Sequence, residues 1–266
     1  MRVIINNELL VAILKRSILL LILQASLLIN SSLASRCERG DRELTQRSEI
    51  MRIRSTLNEK DSSCTAFLIS KSCAVTAGHC SDHFEWAEFN LPASYGDEIT
   101  NSSAEDTYRV RKKTANYNFG QTGDDYAVFK LEKNQVTGLY PGEVYGYLEI
   151  SHSRPLKGES IQIIGYGLSF QDEHSYLSQK SSYGNVTSSD YRRGYPFIAN
   201  LSSVTYDATT SGGDSGAPII RNSDGRVIGV HTKGMCYFGA RRNGGTLFKD
   251  HKKFTKAVES CLESEH

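Results

Sequence analysis

Three polar side chains in this 266-residue sequence have surroundings that suit nucleophilic catalysis. His79 follows the small residues Thr-Ala-Gly, Asp125 enters an alternating apolar stretch, and Ser215 lies in the glycine-rich stretch Gly-Gly-Asp-Ser-Gly. A serine hydroxyl is a weak nucleophile at neutral pH, so it needs a general base such as histidine to take its proton. A carboxylate can orient the imidazole and stabilise its cation. Together the three residues predict hydrolysis through an acylated serine.

Each of these residues also has an ordinary structural explanation when it is taken alone. A histidine beside a cysteine is often structural, an aspartate before a strand is often a turn residue, and paired glycines often make a tight turn. The chain order of histidine, aspartate and serine is more informative. α/β-Hydrolases place the serine first and the histidine last, on a fold with alternating helices that this sequence does not predict. The order therefore indicates a serine hydrolase of another fold.

The elements that must position these side chains read mainly as strands. Short segments rich in β-branched and aromatic residues recur between glycine and asparagine turns, at 65–69, 74–76, 126–131, 160–165, 184–187, 198–207, 217–220 and 227–231. Many short strands with such turns indicate an all-β barrel or sandwich. Phe254, Val258 and Cys261 follow at three- and four-residue intervals, which predicts a C-terminal helix.

The amino-terminal residues 1–34 have the composition of a secretory signal peptide. Basic residues precede an apolar run at 17–29, and small residues follow it up to Ala34. The run is 13 residues long, whereas a membrane-spanning helix needs roughly 20 apolar residues. An uncleaved membrane anchor is the alternative. We expect a protein that is secreted, or periplasmic in a bacterium, with no membrane association after the signal is removed.

The charge balance and the cysteine content bear on which molecules the protein can bind and on where it is located. The chain has 31 Lys and Arg against 30 Asp and Glu, so it has no basic field for nucleic acid. Its six cysteines, an even number, are expected in disulfides in an oxidising compartment. Because no CxxC pair or closely spaced Cys/His set occurs, we expect no metal and no cofactor. The expected state is a monomer that binds protein or peptide substrates.

The three motifs resemble those of the chymotrypsin-like (trypsin-fold) serine peptidases. That family carries T-A-G-H-C, D-x-A and G-D-S-G-x-P in this order, and the resemblance covers roughly residues 40–262. It implies two packed six-stranded antiparallel β-barrels with a C-terminal helix. The peptidase domain is expected at 48–262, after an N-terminal segment or short pro-region at 35–47. The register of D-x-A favours Asp125 over Asp124.

The resemblance also implies supporting residues around the nucleophile. The N–H groups of Gly213 and Ser215 are expected to form the oxyanion hole, which stabilises the charge of the tetrahedral intermediate. The positions of Cys64 and Cys80 match the family's disulfide around the catalytic histidine.

Resemblance to particular branches within this family indicates the substrate preference. Thr209 stands six residues before the nucleophile, where the trypsin branch has the aspartate that selects Lys or Arg. Segments such as Asp-Ala-Thr-Thr before the nucleophile loop instead look like the glutamyl endopeptidase branch. That likeness implies that Thr210 and His231, with Thr232 and Gly234, bind an acidic P1 side chain. The alternatives are a small or aromatic P1 preference and an inactive trypsin-fold binding protein.

Cysteine pairing and activation are less determined by the sequence. Cys37, Cys73, Cys236 and Cys261 allow three connectivities. The family fold packs the strand of Cys73 on the C-terminal helix, which favours Cys73–Cys261 and leaves Cys37 with Cys236.

The position before the nucleophile bears on activation. Asp214 matches the trypsin-branch carboxylate that binds a new amino terminus, whereas the glutamyl endopeptidase branch commonly has asparagine there. No Ile-Val-Gly-Gly follows a basic residue, although trimming is possible at the basic residues Arg36, Arg39, Arg42 and Arg47. Whether the protein is made as a zymogen stays open at this point.

Overall fold

The computed structural model describes residues 42–57, 63–96, 98–169, 174–192, 201–234, 236–237, 240–241 and 243–265. The predicted signal peptide and the predicted Cys37–Cys236 pair lie outside the side chains described. Among the described residues, no helix is both long and apolar enough to cross a membrane.

The first half of the chain forms a closed antiparallel barrel. A short strand β1 (Glu43–Leu44) comes first, and the barrel strands follow. They are β2 (Ile50–Arg54), β3 (Cys64–Leu68), β4 (Cys73–Thr76), β5 (Trp86–Glu88), β6 (Thr107–Asn118) and β7 (Tyr126–Leu131). Their order around the barrel is β2-β3-β4-β7-β6-β5, and β5 pairs back with β2. The interior is filled by buried apolar side chains such as Met51, Leu68 and Phe129.

The second half forms a second closed barrel. Its strands are β8 (Ser160–Gly165), β9 (Lys180–Arg192), β10 (Leu201–Tyr206), β11 (Pro218–Arg221), β12 (Val227–Lys233) and, after the two-residue strands β13 (Cys236–Tyr237) and β14 (Ala240–Arg241), β15 (Asn243–Leu247). The order is β9-β10-β15-β12-β11-β8, closed by pairing of β8 with β9, and β1 adds to the outer edge of β9. The predicted all-β fold of two six-stranded barrels is confirmed.

The predicted closing helix is also confirmed. A short helix α1 (Pro141–Tyr145) lies between the barrels in sequence, and helix α2 (Lys252–Glu263) ends the chain. Helix α2 buries Phe254, Val258 and Cys261, the residues whose spacing predicted it. Its first turn is capped by His251, whose ring Nδ1 accepts a hydrogen bond of 3.1 Å from the N–H of Phe254.

Two disulfides hold the described elements together. Cys64 in β3 is bonded to Cys80, directly after His79, and Cys73 in β4 is bonded to Cys261 in α2. Both pairs are those that the family resemblance implies. The first fixes the chain around His79 and the second joins the first barrel to the C-terminal helix.

Candidate active site

The first barrel brings His79 and Asp125 together. β4 pairs with β7, so that Thr76 lies opposite Ala127, and the segments that adjoin these strands meet at one end of the barrel. His79 lies in a 3₁₀ turn (Gly78–His83) just after β4, and Asp125 comes directly before β7. The distance between His79 Nδ1 and Asp125 Oδ2 is 2.7 Å, and the backbone N–H of His79 donates to Asp125 Oδ1 at 3.0 Å.

The two neighbouring carboxylates have different partners. Asp124 Oδ1 lies 2.9 Å from Nε2 of His251, the cap of α2, and both side chains are buried. The backbone N–H of Asp125 donates to Thr246 Oγ1 of β15 at 3.2 Å, which ties this residue to the second barrel. In the structure, the carboxylate of Asp125 thus contacts His79, whereas the carboxylate of Asp124 contacts His251, the cap of α2.

The second barrel carries Ser215 on the loop before β11. The carbonyl of Ser215 accepts a hydrogen bond of 2.8 Å from the N–H of Thr65 and lies 3.8 Å from Cys80 Sγ, beside the turn of His79. The next residue, Gly216, donates its N–H to the carbonyl of His231 at 2.8 Å. The nucleophile candidate is therefore held between β3 of one barrel and β12 of the other.

Gly216 fits a space that no side chain could share. Its φ is +89°, and a Cβ built on it would lie 2.0 Å from the carbonyl oxygen of Thr65 and 2.0 Å from Thr76 Oγ1. Glycine is the residue that adopts positive φ without steric cost and permits such a close backbone approach. The sequence pattern around Ser215 is thus explained by local sterics.

The predicted oxyanion hole has available donors. Gly213 has a φ of +99°, and both Gly213 and Ser215 are partly exposed. In the described part of the chain, the backbone N–H groups of these two residues have no protein acceptor, whereas those of Asp214 and Gly216 are bonded. Two free N–H groups flanking one residue can donate together to an oxyanion.

A buried polar cluster lies beside this loop on β12. His231 is 2 % exposed, and its backbone N–H bonds to the carbonyl of Ala217. Its Nδ1 lies 2.5 Å from the hydroxyl of Tyr206 on β10. Burial lowers the pKa of His231 to about 4, so that the ring is neutral at neutral pH. Burial likewise raises the pKa of Tyr206 well above its usual value, which keeps its hydroxyl protonated.

Of the other predicted substrate-binding residues, Thr210 and Gly234 lie near one another. Thr210 and Thr232 are buried, and neither hydroxyl has a hydrogen-bond partner among the described residues. A Cβ built on Gly234 would lie 3.7 Å from Thr210 Oγ1, an ordinary van der Waals contact, so these two residues are neighbours. Tyr206 is a residue that the sequence did not single out. It lies in a predicted strand, and only its contact with His231 marks it.

The sequence predicts no metal, and one group of potential ligands lies in the described chain. Cys64, His79 and Cys80 place ligand atoms within 4.8 Å of one another. The two sulfurs form the disulfide, so they cannot serve as thiolate ligands.

Comparison with known protein families points to the same family as these structural features. The features are the two barrels, the His79–Asp125 pair and the loop of Ser215. The model of the Trypsin family matches residues 41–258. The chain belongs to the trypsin family. The predicted membership of the chymotrypsin-like (trypsin-fold) family is confirmed.

Two curated proteins are similar in sequence to parts of this chain. Glutamyl endopeptidase of Bacillus licheniformis is 26 % identical over 198 residues, which cover 69 % of this chain and 55 % of the relative. Secreted RxLR effector protein 73 of Plasmopara viticola is 27 % identical over 183 residues, covering 65 % of this chain and 42 % of the relative. The chain thus spans about half the length of the curated relatives it matches.

Solved structures agree with the trypsin fold. The structure of a Glu endopeptidase in complex with MPD superposes with a TM-score of 0.63 at 21 % identity, covering 84 % of this chain and 97 % of the other. Mouse neuropsin, a serine protease, superposes with a TM-score of 0.58 at 17 % identity, covering 83 % and 98 %. The predicted likeness to chymotrypsin-like peptidases, and among them to glutamyl endopeptidase, is confirmed.

Proposed function

We propose that this trypsin-family chain is a secreted serine endopeptidase that cleaves after glutamate and aspartate through an acyl-enzyme. His79, Asp125 and Ser215 are its catalytic residues. The hydrogen-bonded His79–Asp125 pair beside the loop of Ser215 carries the proposal of peptidase chemistry. The proposal of secretion rests on the signal-like residues 1–34 and on the disulfides, which form in oxidising compartments.

The catalytic cycle starts with the tautomer of His79. Its Nδ1–H donates to Asp125 Oδ2, so the lone pair of Nε2 is free to act as a base. Nε2 takes the proton of Ser215 Oγ as that oxygen attacks the scissile carbonyl carbon. The carbonyl oxygen becomes an oxyanion that accepts hydrogen bonds from the N–H groups of Gly213 and Ser215. His79 then gives the proton to the leaving amine, and water hydrolyses the acyl-enzyme by the reverse steps.

Acidic specificity is supported by the hydroxyls of Thr210 and Thr232. A buried hydroxyl without a partner costs about 1–3 kcal/mol, so we propose that a bound substrate side chain accepts hydrogen bonds from both. A carboxylate can accept several hydrogen bonds, whereas an apolar or aromatic P1 side chain would leave the hydroxyls unpaired. This observation favours an acidic P1 residue over the small or aromatic alternatives.

His231 supplies a further donor to the bound carboxylate. The hydroxyl of Tyr206 lies 2.5 Å from Nδ1 of His231. We assign the hydroxyl as the donor of this bond, which places the ring proton of neutral His231 on Nε2 as the proposed donor to substrate. The proposed donors, which are the hydroxyls of Thr210 and Thr232 and the neutral ring of His231, carry no charge. They can therefore be deeply buried without leaving an unpaired charge in the free enzyme.

Two measurements test the proposed function. A fluorophosphonate probe should label the secreted protein at Ser215 and should not label S215A, which we expect to retain the fold. Absence of labelling in the folded wild-type protein would favour an inactive binding protein instead. A peptide library should then show cleavage after Glu and Asp, and a preference for P1 Arg, Phe or Ala over Glu would overturn the proposed specificity.

A further inference from the structure

A buried ion pair lies directly behind the loop of Ser215. Arg42 Nη2 is 2.8 Å from Oδ1 and 2.7 Å from Oδ2 of Asp214, the residue before Ser215. The side chains are 3 % and 0 % exposed, respectively. Arg42 comes just before β1, 172 positions earlier in the chain than Asp214. The contact therefore joins the start of the described chain to the catalytic loop.

The other contacts of Asp214 hold both ends of this loop. Its Oδ1 accepts the backbone N–H of Gly167 at 2.8 Å, and its Oδ2 accepts the backbone N–H of Ser211 at 2.8 Å. Arg42 Nη1 also donates to Ser211 Oγ at 2.7 Å. Each carboxylate oxygen thus has two N–H donors, which uses the acceptor capacity of the group. This arrangement leaves Asp214 no acceptor position for another cation.

The peptide groups that flank Asp214 include both proposed oxyanion donors. Gly213 lies on one side of it and Ser215 on the other, so the position of the Asp214 side chain determines where these N–H groups point. A buried carboxylate requires a charged or hydrogen-bonded partner, because leaving it uncompensated is strongly destabilising. Guanidinium suits this site, since it presents two donors in a fixed plane and stays charged at every physiological pH.

We propose that Arg42 is a positioning residue that holds the oxyanion hole through Asp214, in place of a free amino terminus. The inference rests on the proposed peptidase function. The chain is then active without a cleavage that creates a new amino-terminal ammonium. Trimming at Arg36 or Arg39 retains the guanidinium, whereas cleavage after Arg42 or Arg47 separates it from the domain. The functional amino terminus therefore lies at or before Arg42.

The direct test compares R42Q with R47Q in the full secreted chain. Arg47 is a matched control because its guanidinium is more exposed and pairs with Glu49. Loss of one oxyanion donor lowers kcat by roughly 10²–10³-fold, and we expect R42Q to approach this loss. KM should change less than about threefold, because Arg42 does not face the substrate. Labelling by a fluorophosphonate should slow in parallel, and R47Q should match the wild-type protein in both assays.

The outcomes separate this inference from the proposed function. If the folded wild-type protein is neither labelled nor active, the proposed function fails. If it is active and a folded R42Q has wild-type kcat, the role of Arg42 is overturned. Where near-UV circular dichroism shows that R42Q does not fold, R42K takes its place. Lysine keeps the positive charge but lacks the planar set of N–H donors of the guanidinium. A kcat of R42K that is reduced about tenfold at unchanged KM supports the inference, and a wild-type kcat contradicts it.

A measurement on the wild-type protein needs no substitution. A free amino-terminal amine has a pKa of about 8, and pairing with a carboxylate raises this pKa, so the amine would lose its charge in alkaline solution, whereas arginine would not. We expect kcat to stay constant from about pH 7.5 to about pH 10.5. A fall in kcat with an apparent pKa between about 8 and about 10 would point to an amino-terminal ammonium and would overturn the inference.

Discussion

Both carboxylate oxygens of Asp125 bond to His79, one to the ring nitrogen Nδ1 at 2.7 Å and one to the backbone N–H at 3.0 Å. The backbone bond fixes the position of the carboxylate, and the ring bond fixes the tautomer of the imidazole. Asp124, the adjacent carboxylate, bonds to His251 instead. The pair of aspartates therefore offers a comparison between a proposed catalytic role and a proposed structural role at neighbouring positions.

The first prediction concerns these two aspartates. D125N should lower kcat by on the order of 10⁴-fold, since an amide N–H favours the wrong tautomer of His79; this magnitude is the one known for the equivalent change in a trypsin-family enzyme. D124N should keep kcat within about threefold while lowering the thermal unfolding temperature, because it weakens the bond to the cap of α2. Steady-state kinetics and calorimetry on both variants check this. Equal losses of kcat would argue against the assignment of Asp125.

The second prediction concerns the pH dependence of substrate preference. The pKa of His231 is about 4 in the free protein, and a bound P1 carboxylate should raise it. Between the two pKa values, binding takes up a proton, so binding of an acidic substrate strengthens as pH falls. The ratio of kcat/KM for Glu over Gln at P1 should therefore be larger at about pH 5.5 than at about pH 8. Taking a ratio cancels any pH dependence that the two substrates share, and a ratio that rises with pH would contradict the prediction.

Stability provides a third prediction from the same histidine. Burial lowers the pKa of His231 from 6.5 to about 4, so the folded state binds fewer protons than the unfolded state between these values. The free energy of unfolding should thus decrease as pH falls through this window, by about 2–3 kcal/mol from His231. Urea denaturation at about pH 7 and about pH 4.5 measures the decrease.

The control for this stability prediction is H231Q. Its free energy of unfolding should decrease less over the same pH window, because the titrating group is gone. The remaining decrease includes His251, whose pKa is also lowered by burial. Identical pH dependence in the two proteins would show that His231 does not titrate as the structure implies.

The fourth prediction uses two glycines with positive φ. G216A should destabilise the fold by more than about 3 kcal/mol and abolish turnover, since the added Cβ would meet the carbonyl of Thr65 and the hydroxyl of Thr76. Gly225 has a φ of +70° with nothing within 4 Å, so G225A should cost only about 1 kcal/mol and retain activity. Thermal unfolding and labelling of Ser215 compare the variants. A G216A protein with normal activity would mean that the loop tolerates a side chain.

Much of the fold was predictable because its local patterns agree with its strands. The predicted segments 126–131 and 160–165 coincide with β7 and β8. Strand β2 was not predicted, since its sequence contains two arginines. The structure buries Arg52 by pairing it with Glu88 on β5, a partner that local patterns do not indicate. Strand β15 was missed because it contains glycines. Gly245 allows β12 to approach, as a Cβ there would lie 2.4 Å from the carbonyl of Val230.

The residues of the candidate site also fall into those that the sequence predicted and those that it did not. The motifs around His79 and Ser215 are short, so their spacing could be read directly from the sequence. Arg42 was considered as a trimming site and as part of a segment that resembles the glutamyl endopeptidase branch. Its role as a partner of Asp214 was not predicted, because that contact depends on the closed tertiary fold. Tyr206 was missed for a similar reason: it meets His231 across strands that are separated in the sequence. Long-range contacts of single polar side chains leave no local pattern.

The most direct test of the account is the P1 preference of the purified secreted protein on matched peptides that differ only at that residue. At about pH 7.5, kcat/KM for P1 Glu should exceed that for the isosteric Gln by at least about tenfold, the worth of one charge-assisted hydrogen bond. The S215A protein should cleave neither peptide. Equal cleavage of Glu and Gln peptides, or faster cleavage after Arg, Phe or Ala, would contradict the acidic pocket built from Thr210, Thr232 and His231.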